Sequence, residues 1–103
     1  MEYELDIFQR QPDILLAKLA ASCRARRLEK GYSRRHLAER TRVPAPTIER
    51  FERTGKISLE SFCRIAIEFG YFDEMASVLS KSKFSTSAEL EMINRNKTRK
   101  KGR

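Results

Sequence analysis

The sequence predicts an all-α chain, and three observations carry that reading. Apolar residues return at helical spacing, as in Leu16, Leu19, Ala20 and Cys23 and again in Phe62, Cys63, Ala66 and Phe69. Three of the four glycines, Gly31, Gly55 and Gly70, each follow such a run, where a left-handed C-terminal cap would stand. Residues suited to cap a helix N-terminus, among them Asp13, Ser33 and Ser58, precede the runs.

Taken in order, helix 1 is expected over about residues 13–30, with Asp13 as its N-cap and Leu16, Leu19, Ala20 and Cys23 facing inward. Ser33 caps helix 2, about residues 34–41, whose inward positions are Leu37, Ala38 and Thr41. Val43, Pro44, Ala45 and Pro46 supply a turn before helix 3, about residues 45–53, with Ile48 and Phe51 inward. Two short helices around a tight turn look like a helix-turn-helix, an arrangement that offers its second helix to the DNA major groove. Ser58 caps helix 4, with Leu59, Phe62, Cys63, Ala66 and Phe69 inward, and Gly70 ends it. Asp73 begins helix 5, with Phe72, Met75, Ala76 and Leu79 on one face. Thr86 and Glu89 have capping-box spacing before Leu90 and Ile93, so a short sixth helix is expected there, either docked on the domain or awaiting a partner. The chain therefore divides into an N-terminal arm (1–12), a helical domain (13–80) and an extension with a basic tail (81–103).

At 103 residues, with 40% apolar residues and nine aromatics, the chain can fill one modest core. Cys23 and Cys63 form no metal-ligand or redox spacing, and both fall on inward stripes, so they are read as buried thiols. The acidic N-terminus is unlike a signal peptide, and no segment reaches the roughly 18 apolar residues of a membrane span. A cytoplasmic, nucleoid-associated protein with no membrane partner is expected. The net charge of +8 is concentrated: residues 24–56 carry eleven bases against four acids, and the last ten residues carry six bases and no acid. Residues 1–23 and 57–93 are net acidic. A basic block coincident with the two-helix segment favours a polyanion, because each neutralised phosphate releases condensed counterions. The tail from residue 94 has nothing to bury and is expected to be disordered when free.

The stretch from about Leu16 to Leu79 resembles the Cro/cI-type, or XRE-type, helix-turn-helix regulators. The residues that carry the likeness are Gly31-Tyr32-Ser33, Leu37-Ala38, Val43, Ile48 with Phe51-Glu52, and Gly55 at the end of Glu52-Arg53-Thr54-Gly55. The resemblance implies a five-helix, lambda-repressor-like domain. A narrower likeness lies in Arg53-Thr54-Gly55-Lys56-Ile57-Ser58-Leu59-Glu60-Ser61-Phe62, in Gly70-Tyr71-Phe72-Asp73-Glu74-Met75, and in a short helix before a basic tail. These are similar to HipB-like antitoxins, and that likeness implies dimerisation, operator repeats near the protein's own promoter, and a HipA-like toxin kinase as partner. Two departures stand out. Arg42 occupies a position that is often glycine in the family, where positive φ would cost an arginine about 1 kcal/mol. Ala45 and Pro46 replace side chains that commonly read base edges, leaving only contact with thymine methyls or shape.

With Ile48 and Phe51 inward, the outward face of helix 3 holds Pro46, Glu49, Arg50 and Arg53. Arg50 is the candidate for bidentate readout of guanine, Glu49 for orienting it or accepting from cytosine, and Thr47 for a phosphate. Arg34 and Arg35, at the start of helix 2, are assigned to backbone anchoring. The competing reading pairs Arg34, Arg35, Arg40 and Arg53 with Glu39, Glu49 and Glu52 as solvated helix residues. His36 lacks an acid or nucleophile partner and is read as a surface residue. No phosphate-cradling loop, metal-ligand spacing or activated nucleophile is present, so the chain is read as no enzyme and as needing no cofactor. One module reads few base pairs, which favours a homodimer on an inverted-repeat operator. Its surface is either helix 5 with the following segment or residues 3–8, which alternate in strand fashion. The function expected is a sequence-specific double-stranded DNA-binding repressor, with an autoregulating antitoxin favoured. The alternatives are a stand-alone or phage-type regulator, or a partner-binding inhibitor with secondary DNA binding.

Overall fold

The computed structural model describes residues 10–99, all of whose regular elements are helices. They are α1 (Pro12–Glu29), α2 (Arg34–Thr41), α3 (Ala45–Thr54), α4 (Leu59–Glu68), α5 (Phe72–Ser77) and α6 (Ser87–Lys97). The strand-like residues 3–8 and the last four residues of the tail lie outside the described part.

Each helix begins and ends for a local reason. Ser33, Ser58 and Thr86 are extended N-caps whose side-chain oxygens accept from the amides of His36, Ser61 and Glu89 at 3.0–3.1 Å. Asp13 is not the cap of α1. The cap is Gln11, with Pro12 at the first helical position, because proline's fixed φ and missing amide suit that place and move the start one residue back. Glu89 closes the start of α6 by accepting from the Ser85 amide and hydroxyl; these bonds hold its carboxyl below the usual range. α1 and α4 end in matched motifs in which Tyr32 and Tyr71 donate back to the carbonyls of Arg27 and Ala66, across Gly31 and Gly70. Gly55 ends α3 at φ 79°, and an added Cβ would lie 3.2 Å from Leu16, so both conformation and close approach to α1 require glycine.

Leu37, Val43, Ile48 and Ile65 form the buried cluster, with Cys23, Tyr32, Ala38, Ile57 and Phe69 packed against it. Phe51 is buried and meets Phe62 edge-on, ring centres 5.9 Å apart. Through these residues α1 packs on α3, α2 on α3 and α4, and α4 on α5. Cys23 is half-buried rather than fully buried, and burial first, then the Glu52 carboxylate, pushes its thiol up to about 11. Cys63 is also half-buried.

Four expectations about apolar positions and helix ends are corrected, the first being Leu16, expected to face inward and 40% exposed. Leu59 is 73% exposed, since the helical period says nothing of where a neighbouring element stops. α5 ends at Ser77, whose hydroxyl donates to the Glu74 carbonyl, so Val78 and Leu79 lie beyond the helix and Leu79 is on no helical face. α6 runs to Lys97, which makes residues 94–97 helical rather than disordered. Its start is capped, and Arg95 and Lys97 complement the negative helix end.

Candidate nucleic-acid interface

The turn that presents α3 is fixed by Thr41. Its buried hydroxyl donates to the Leu37 carbonyl at 2.8 Å and accepts from the Val43 amide at 3.2 Å, tying the end of α2 to the start of the turn. Between them Arg42 adopts φ 62° and ψ 25°, so the turn keeps the left-handed geometry despite its arginine. Val43 is buried, Pro44 precedes α3, and Pro46 stands at the second helical position, where no amide partner is lost.

Orientation of α3 follows from Ile48 and Phe51, both buried. The side turned outward exposes Pro46, Arg50 and Arg53, with Ala45, Thr47 and Glu49 half-buried. Pro46, Thr47 and Arg50 line an open cleft together with Lys56, Ile57, Ser58 and Ser61. Thr54 ties Lys56 to the end of α3: its hydroxyl donates to the Arg50 carbonyl at 2.7 Å and accepts from the Lys56 amide at 3.1 Å. Sequence reasoning missed Lys56 and Ser61 as neighbours of Arg50. Only the inclusion of Lys56 in the basic block hinted at its place, because loop residues carry no periodicity.

The ion pairs sort the arginines. Arg27 and Arg34 both bond Glu52, Arg27 through Nε at 2.7 Å and Nη2 at 3.0 Å and Arg34 through Nε at 3.0 Å. The Glu52 side chain is 4% exposed. Burial would raise its carboxyl, but the two guanidinium partners outweigh that and hold it below the usual range. Arg34 is thus held by one nitrogen while its side chain stays 43% exposed. Arg40 lies over the Tyr32 ring and bonds Glu68 of α4, not the α2 or α3 acids expected for it. Arg53 bonds Glu49 at 3.0 Å, one turn away. Arg35, 89% exposed, lies 3.8 Å from Glu39, and borders a second shallow depression with Arg42 and Pro44. Among the described residues the Arg50 and Lys56 side chains have no such partner. His36 is exposed and packs against Tyr32.

No protein-family model, curated protein or solved structure matches the chain. The chemistry therefore rests on the residues themselves. An unpaired guanidinium and an unpaired ammonium border one cleft with the hydroxyls of Thr47, Ser58 and Ser61, a donor-rich surface suited to phosphate oxygens and base acceptors. Among the described residues no group of three or more His, Cys, Asp or Glu side chains is placed to hold a metal ion.

Proposed function

We propose that this chain is a sequence-specific double-stranded DNA-binding transcriptional repressor that acts as a homodimer on an inverted-repeat operator. The observation that carries the reading is Arg50: exposed on α3 and free of any carboxylate among the described residues, it borders the cleft with Thr47 and Lys56, while Glu49 is engaged by Arg53. In this reading α1–α5 form a five-helix, lambda-repressor-like helix-turn-helix domain, and α3 enters the major groove. Arg50 forms two bonds to guanine O6 and N7, and Ala45 and Pro46 press against thymine methyls. Thr47 and Lys56 hold phosphate oxygens beside it, and Arg35 with the exposed part of Arg34 anchors the backbone at the start of α2. Glu49 fixes Arg53 for the same rim. The protein works without a cofactor and without catalysis, on cytoplasmic DNA.

The narrower assignment, an autoregulating antitoxin bound to a HipA-like kinase, is supported by the sequence likeness in residues 53–62 and 70–75. Co-purification with the product of the adjacent gene separates it from a stand-alone or phage-type regulator. The inhibitor reading, with DNA secondary, gains from the two side chains at the opening of α3 that cannot hydrogen-bond bases.

Replacing Arg50 by alanine tests the DNA reading. Arg50→Ala is expected to lower the preference for operator over scrambled duplex by about 1–3 kcal/mol, read by fluorescence anisotropy. Equal losses on both duplexes would reject Arg50 as a base reader.

A further inference from the structure

A groove of about 320 Å³ lies between α1, α4 and α5 and shares no lining residue with the cleft that Arg50 borders. Leu19 and Cys23 of α1, Phe62 and Ala66 of α4 and Met75 of α5 make its wall largely apolar. Its volume falls at the lower end of the about 300–1,000 Å³ typical of small-molecule sites. It is also roughly twice the about 150 Å³ of an apolar cavity that holds one benzene ring. A body of two fused rings is therefore the size that fits.

The charges on the wall select the rest of the ligand. Two charged side chains line the groove, Arg26 and Glu74. Arg26 is bonded to Glu29 of its own helix at 2.7 Å, so its charge is already met. The Glu74 carboxylate, on an exposed residue, has no partner among the described residues. Burial holds the Cys23 thiol up at about 11, so it lines the groove as neutral sulfur and adds no second negative charge at neutral pH. In a chain of net charge +8 the groove is thus apolar with one unmatched acid.

We propose that this groove is a binding site for a small hydrophobic amine, with a two-ring aromatic body against Phe62 and Met75 and its ammonium group on Glu74. A charged hydrogen bond from ammonium to carboxylate is stronger than a neutral one. The aromatic rings of Phe69 and Tyr71, which also line the groove, attract a cation. The Met75 thioether and the Cys23 thiol favour an aromatic ring. An anionic ligand of the same shape meets no free guanidinium and is repelled by Glu74.

The site is independent of the DNA reading, and its test contains no DNA. The chain has no tryptophan, so the emission of a naphthalene probe is read without interference. Naphthylmethylamine is titrated into the full chain beside naphthylmethanol and naphthylacetate. The amine should bind with a Kd of about 1 mM or tighter. It should bind about tenfold more tightly than the alcohol, and the acid more weakly than either. Glu74→Gln should bring the amine to the level of the alcohol and leave the alcohol unchanged, which also shows that the variant is folded. In a chain carrying carbon-13 methionine methyls, the amine should shift the Met75 signal and leave Met92 of α6 in place. An acid that binds as tightly as the amine overturns the proposal, as does a Glu74→Gln chain that keeps the preference. A Met75 signal that moves with chain concentration and not with the amine gives the groove to a second copy, and overturns it too.

Discussion

Arg42 joins conformational cost to charge. At φ 62° its left-handed backbone costs about 1 kcal/mol relative to a residue at ease there, and its side chain is exposed beside Arg35 at the turn that leads into α3. Strain retained at such a place is consistent with a role for the guanidinium, here a phosphate contact. Arg42→Asn keeps a residue that tolerates this geometry and removes the charge. The variant is expected to gain about 0.5 kcal/mol in thermal unfolding and to bind operator and scrambled DNA more weakly by a similar factor. Lower stability would show that the turn is not strained. Unchanged DNA affinity would remove Arg42 from the interface.

At the scale of elements, Glu52 ties three helices together, since Arg27 comes from α1, Arg34 from α2 and the carboxylate from α3. Removing the charge leaves Arg27 buried without its partner, and Glu52→Gln should lose about 3 kcal/mol in denaturant unfolding. The pH dependence has a definite sign. Because the folded-state carboxyl titrates below its unfolded value of about 4.3, its stabilisation is fully present above that pH and is lost as pH falls through the folded value. Wild type should therefore lose its advantage over Glu52→Gln below about pH 4, and a constant difference down to about pH 2 would contradict the triad's role. This triad was not legible in the sequence. Arg27 and Glu52 lie 25 residues apart, and Arg40 and Glu68 lie 28 apart, beyond any helical-spacing rule. By contrast α2 and α3 were legible nearly to the residue, because Ser33, Thr41, Ile48, Phe51 and Gly55 each state a cap, a stripe or a stop in local terms. The outward face of α3 followed from the same period. Its neighbour Lys56, the end of α5 and the helical start of the tail did not, because they depend on loop geometry and on where packing stops.

Across the whole molecule the ion pairs divide the basic block into two populations. Arg26, Arg27, Arg34, Arg35, Arg40 and Arg53 pair with carboxylates, while among the described residues Arg24, Lys30, Arg42, Arg50 and Lys56 do not. In the proposed reading the unpaired set, with the basic C-terminal extension, would supply affinity for a polyanion. In the same reading selectivity would depend on Arg50 and on the homodimer proposed above. No described helix is long and apolar enough to cross a membrane. The measurement that tests this account most directly is the affinity of the full chain for the duplex upstream of its own gene. It is compared with a scrambled duplex of equal length at two salt concentrations. The account predicts a preference of about 10³-fold or more, with salt weakening both duplexes. Equal, strongly salt-dependent binding to the two would contradict it, leaving the charge without a readout.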